Sequence, residues 1–104
     1  MKAKYKENME RFSILQDKKE CYVCKTTKDI HIHEAYFGRN RQNSIKDGCC
    51  VYLCSRHHNM SNEGVHFNHD LDLKIKKEME KAWCKYYNKT IDDFRKRYYC
   101  NYLD

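Results

Sequence analysis

Two Cys/His pairs dominate the chemistry open to this chain: Cys21-x-x-Cys24 and, farther on, Cys54-x-x-His57. Thiolate and imidazole are soft and borderline donors, and two x-x pairs bring four of them to the corners of one tetrahedron, the arrangement of a structural zinc ion. His58 follows directly, a spare donor at the start of a helix. Between the pairs, the alternation of Ile30-His31-Ile32-His33-Glu34 places His31 and His33 on one strand face and the isoleucines on the other. A second cluster of metal-binding or proton-transferring groups is expected there.

A disulfide reading of the cysteines is disfavoured. Met1 to Asn8 contains no apolar signal-peptide core, and no stretch approaches a transmembrane helix in length. Paired cysteines in a reducing cytosol are metal ligands, and a redox role for Cys21 and Cys24 requires a βαβ context that is absent. Cys49, Cys50, Cys84 and Cys100 have no partner at x-x spacing and are expected to pack as small hydrophobes.

The elements that must position these groups follow from periodicity and turn residues. With 104 residues, 35% of them charged, and a mean hydropathy of -1.07, one domain with a thin apolar core is expected, and a zinc staple supplies closure. Residues 1–19 form an N-terminal arm, helical to about residue 18, with Met9 and Phe12 on its inner edge. Residues 20–69 hold the knuckle, a strand over 29–34, a polar loop from Phe37 to Gly48, a second strand from Cys49 to Leu53 and a short helix from Ser55 to Asn62. Residues 70–104 hold a long helix from Leu71 to Tyr87, with Leu71, Ile75, Met79, Ala82, Trp83 and Tyr86 at helical spacing, and a last helix. Thr90-x-x-Asp93 reads as the capping box of that last helix, with Ile91, Phe94 and Tyr98 facing inward. The fold class is α+β: a zinc-stapled, treble-clef-like ββα core with flanking α-helices.

Charge is distributed unevenly. The net +6 comes from 21 Lys and Arg against 15 Asp and Glu. Residues 21–73 are balanced at six and six, whereas residues 74–104 carry nine basic and five acidic groups. Basic flanks around a neutral centre suit a polyanion held by its phosphates, and equally a solvated helix face.

The knuckle, the strand ending in His33-Glu34 and the segment Val51-Tyr52-Leu53-Cys54-Ser55-Arg56-His57-His58-Asn59 resemble the HNH, or ββα-metal, endonucleases that carry an added structural zinc. Phe37-Gly38-Arg39-Asn40-Arg41, Gly64-Val65-His66-Phe67-Asn68 and Asn101-Tyr102-Leu103 are more narrowly similar to small phage and prophage HNH proteins. The resemblance covers about residues 20 to 104. It implies metal-dependent hydrolysis of DNA in phage DNA processing or recombination, in the cytoplasm of a bacterial host, with Mg²⁺ or Mn²⁺ at the active site and Zn²⁺ in the staple.

The resemblance also implies residue roles. His58 matches the helix ligand and His33 the strand, with His66, or Asn62 one helical turn after His58, as a further ligand. Two registers stay open: His33 as ligand with Glu34 as the base, or His33 as the base itself. The middle Asn of the motif falls on Asn40 or Asn43, or near Gly48-Cys49. Arg39, Arg41 and Arg56 are candidates to grip phosphates, and the expected products are a 3′-hydroxyl and a 5′-phosphate. The alternative is a zinc-stapled module without catalysis that binds DNA or a phage or host protein.

Overall fold

The structure, a computed structural model, describes residues 11–59 and 64–103. Two short strands form its sheet, β1 (Ile30–Glu34) and β2 (Cys50–Cys54), paired antiparallel with His31 opposite Leu53 and His33 opposite Val51. Between them run a 3-10 turn (Gly38–Asn40) and helix α1 (Arg41–Asp47), and after them α2 (Ser55–His58), α3 (His69–Tyr87) and α4 (Ile91–Tyr98). The architecture is mixed α+β, with helices around a two-stranded sheet. Among the described residues, no helix is long and apolar enough to cross a membrane.

The core is small and aromatic. Tyr36, Phe94 and Tyr98 are buried together, with ring centroids 4.7–5.2 Å apart, over Val51, Leu53, Ile75 and Met79. Of the α3 stripe, Ile75, Met79 and Trp83 are buried and Leu71 partly so, while Tyr86 is exposed and its neighbour Tyr87 turns inward instead. The helix begins two residues ahead of the sequence expectation because the Asn68 side chain accepts from the Leu71 amide and caps it. Asn88 ends it in the left-handed conformation. The Thr90–Asp93 capping box is formed, and Phe94 and Tyr98 face the core, but Ile91 at the first position of α4 is exposed.

Three local expectations are corrected. The polar segment from Phe37 to Gly48 is not a loop: its centre is α1, with Ser44, Ile45 and Asp47 buried and Gly48 as a left-handed stop at φ 77°. A side chain at Gly48 would also strike the Phe12 ring. The stretch over residues 11–18 is not helical. The Ser13 hydroxyl accepts from the Leu15 and Gln16 amides, a turn that competes with helix, and the segment is drawn onto β2 through Ile14 N–H to the Gly48 carbonyl and Tyr52 N–H to Gln16 Oε1. Residues 1–10, with Met9, lie outside the described residues. The helix expected from Ser55 to Asn62 stops at His58, with Asn59 already non-helical, and Asn62 lies outside the described residues.

Asp47 joins the two halves of the fold. Its carboxylate accepts from Trp83 Nε1 at 2.9 Å, Tyr98 OH at 2.7 Å and Arg97 Nε at 2.6 Å, and its carbonyl accepts from Tyr87 OH. Removing one partner of such a buried network leaves several donors unpaired, so Asp47→Ala should lower the unfolding free energy by about 3–5 kcal/mol. Urea denaturation of the zinc-loaded variant measures this. A loss below about 1 kcal/mol would show that the network is replaceable by water.

Candidate metal centres

Chain geometry folds the two Cys/His pairs into one cluster. β2 returns beside β1, so Cys54 lies opposite Ile30 and close to the knuckle, where Cys21 N–H bonds to the Thr26 carbonyl and Lys25 N–H to the Cys21 carbonyl. The Cys24 amide points at the Cys21 sulfur, 3.5 Å away. Cys24 Sγ and Cys54 Sγ are 3.8 Å apart, Cys54 Sγ and His57 Nδ1 3.3 Å, and Cys21 Sγ and His57 Nδ1 3.6 Å. Tetrahedral zinc with bonds of about 2.3 Å to sulfur and 2.0–2.1 Å to nitrogen has S···S edges of about 3.8 Å and S···N edges of about 3.5 Å. The four residues fit a zinc ion on their own spacing.

The sulfurs also compete for charge. Burial pushes the Cys21 thiol up, but amide donors of Cys24, Cys54 and Val23 outweigh it and bring the pKa down to about 6. Burial and the neighbouring sulfurs push Cys54 up. A divalent cation relieves that conflict. Cys49 and Cys50 are buried thiols pushed up to about 12, inert packing groups as expected.

A second cluster lies on the other side of α2. Consecutive helical residues point about 100° apart, so a four-residue helix aims His57 at the cysteines and His58 at β1. Nitrogens of His33, His58 and His66 lie within 4.8 Å of one another, with His58 Nε2 and His66 Nε2 3.1 Å apart. Imidazoles sharing an ion at about 2.1 Å sit about 3.0–3.4 Å apart, depending on geometry. His33 is buried, and its Nε2 has no hydrogen-bond partner. Burial, with the neighbouring His58 and His66, lowers its pKa to about 3, and burial also lowers that of His58. His33 and His58 are therefore held in the neutral form, which ligates.

His66 is placed by backbone pairing. Val65 N–H bonds to the His57 carbonyl and His66 N–H to the His58 carbonyl. Gly64 permits that approach, because a Cβ there would stand 2.8 Å from the His58 carbonyl oxygen. An open cleft of about 400 Å³, lined by Phe37, Val65, His66, Phe67, Asn68, His69 and Asp72, adjoins the centre.

Other expected site residues are engaged elsewhere. Glu34 is not among the converging donors; its carboxylate accepts from Arg11 Nε at 2.9 Å and Arg41 Nε at 3.4 Å. Arg39 stacks over the Tyr99 ring at 4.1 Å, and Arg56 is exposed on α2. Asn40 and Asn43 donate to the carbonyls of Tyr98 and Arg97 and so secure the end of α4 rather than the histidine loop. His31, which strand alternation sets on the face of His33 as expected, also reaches this centre, its Nδ1 2.9 Å from His58 Nδ1, a contact that the sequence did not assign to it.

No family model, curated protein or solved structure matches this chain.

Proposed function

We propose that this chain is a metal-dependent DNA endonuclease of the HNH type, hydrolysing phosphodiester bonds on a zinc-stapled, treble-clef-like ββα-metal unit. The observation that carries the reading is the division of labour on α2, with His57 turned to three cysteines and His58 to His33 and His66. A staple alone accounts for His57 and leaves three converging imidazoles, one with a bare buried nitrogen, without a role. The adjoining cleft gives a phosphodiester access to them, and Lys76, paired with Asp72 at 2.8 Å and 4.5 Å from the Phe37 ring centre, stands at its edge.

In this reading His33, His58 and His66 are ligands. Burial makes His33 too weak a base for proton abstraction near neutral pH. An ion bound there supplies Lewis acidity to a phosphoryl oxygen and lowers the pKa of its own water. An all-imidazole set favours a borderline ion such as Zn²⁺ or Ni²⁺ over Mg²⁺ or Mn²⁺. Glu34 fixes Arg11 and Arg41 at the end of β1, where they contribute positive charge.

A binding module without catalysis is the second reading. It is favoured by the engagement of Glu34 with two arginines, which leaves no carboxylate in the imidazole cluster among the described residues. Incubating zinc-loaded protein with supercoiled, linear and branched DNA across Ni²⁺, Zn²⁺, Mn²⁺ and Mg²⁺ decides between them. Cleavage leaving 5′-phosphate and 3′-hydroxyl ends, strongest with the borderline ions, is expected. DNA that is bound yet uncut with every ion returns the binding module.

A further inference from the structure

We propose that His31 is a positioning residue for the three-histidine centre: it accepts the Nδ1–H of His58 and fixes the tautomer in which His58 Nε2 is free to ligate. The inference rests on the metal-centre reading above. His58 is flanked at both ring nitrogens, by His31 Nδ1 at 2.9 Å and by His66 Nε2 at 3.1 Å. A neutral imidazole carries one proton, so only one of its nitrogens can offer a lone pair. Ligation alongside His66 requires that lone pair at Nε2, which puts the His58 proton on Nδ1. The acceptor waiting there is His31 Nδ1, and the proton of His31 then sits on its own Nε2.

The opposite polarity, with His31 donating, places the His58 proton on Nε2, facing His66, and blocks the ion. His31 itself stands outside the set of convergent ligand atoms. Ligating histidines are ordinarily oriented by a carboxylate or a carbonyl at the second nitrogen. Here the carboxylate at the end of β1, Glu34, is held by Arg11 and Arg41, and an imidazole two residues before His33 takes that place. Strand alternation delivers it: His31 and His33 share a face, and the pairing of β1 with β2 carries both beneath His58.

The test compares wild type with His31→Asn, which keeps a side-chain acceptor, and His31→Leu, which keeps bulk without one, all loaded with one zinc in the staple. Calorimetric titration with Ni²⁺ should give one further site per chain in wild type, weakened about 10–100-fold in His31→Leu. The acceptor of His31→Asn should hold affinity within about threefold of wild type. Melting temperature and zinc content should not change. Long-range ¹H–¹⁵N spectra of the protein before Ni²⁺ addition should show His58 protonated at Nδ1 in wild type and His31→Asn, and a tautomer mixture in His31→Leu. Equal Ni²⁺ affinity in His31→Leu and wild type, equal losses in both variants, or a wild-type His58 protonated at Nε2 overturns the role of His31 while leaving the centre standing. A wild type that takes up no Ni²⁺ overturns the centre, and the role of His31 with it.

Discussion

Stripping zinc from this protein should unfold it. A structural zinc site of this kind is worth on the order of 10–16 kcal/mol at neutral pH, as much as or more than the roughly 5–15 kcal/mol by which a whole domain is stable. An ion shared by the four residues would close what the apolar core cannot, joining the knuckle, which carries the irregular segment 11–20 along the edge of β2, to the end of β2 and the start of α2. Metal analysis after dialysis should find about one tightly held zinc per chain. Addition of a strong chelator should then collapse the near-ultraviolet circular dichroism of the Trp83 and Tyr98 core. Cys24→Ser is the cleanest single change, since Cys24 is exposed and has little to pack against apart from a shared ion. It should unfold or aggregate the protein, whereas Cys84→Ser should be tolerated. A chelated protein that keeps its melting temperature would remove the zinc assignment of Cys21, Cys24, Cys54 and His57.

Which parts were legible in the sequence depended on whether the signal was local. The x-x spacing of Cys21 and Cys24 and of Cys54 and His57 survives into three dimensions because turn and helix start impose it within four residues. The α3 stripe and the Thr90 capping box were likewise readable, since propensity and packing agree there. The helix α1 was hidden: seven residues give barely two turns of period, and Gly38, Asn40, Asn43, Asp47 and Gly48 carry the composition of a loop. Asp47 had no local signal at all. Its partners Trp83, Tyr87, Arg97 and Tyr98 lie far along the chain, so only the fold reveals it as a hub. Residues 11–18 erred the other way, a helix-compatible pattern overridden by bonds to β2.

The imidazole centre was half legible. Strand alternation marked His33, its place after His57 marked His58 and the resemblance named His66, and all three converge. Glu34 could not be placed, because strand alternation sets it opposite to His33 and nothing in the local sequence announces Arg11 and Arg41 as its partners. Arg39, a candidate to grip phosphates, stacks its guanidinium over the Tyr99 ring.

The decisive loss should come from His58→Ala. The variant keeps His57, whose Nδ1 faces Cys54 and Cys21, so zinc content and folding should match wild type. It removes the middle member of the centre, the one within reach of both His31 and His66. Charge stabilisation by a bound ion amounts to several kcal/mol, and each 1.36 kcal/mol is tenfold in rate, so nicking at a fixed ion concentration should fall by about a thousandfold or more. His33→Ala should lose Ni²⁺ affinity and activity together, as expected of a ligand rather than a base. Glu34→Gln should leave Ni²⁺ affinity unchanged, because its carboxylate serves Arg11 and Arg41. Full loss of nicking in Glu34→Gln at wild-type Ni²⁺ affinity would instead make Glu34 the base, acting through water from the far side of β1. Normal nicking by His58→Ala would end the nuclease reading at this centre, because no arrangement of His33 and His66 alone replaces the donor that α2 supplies.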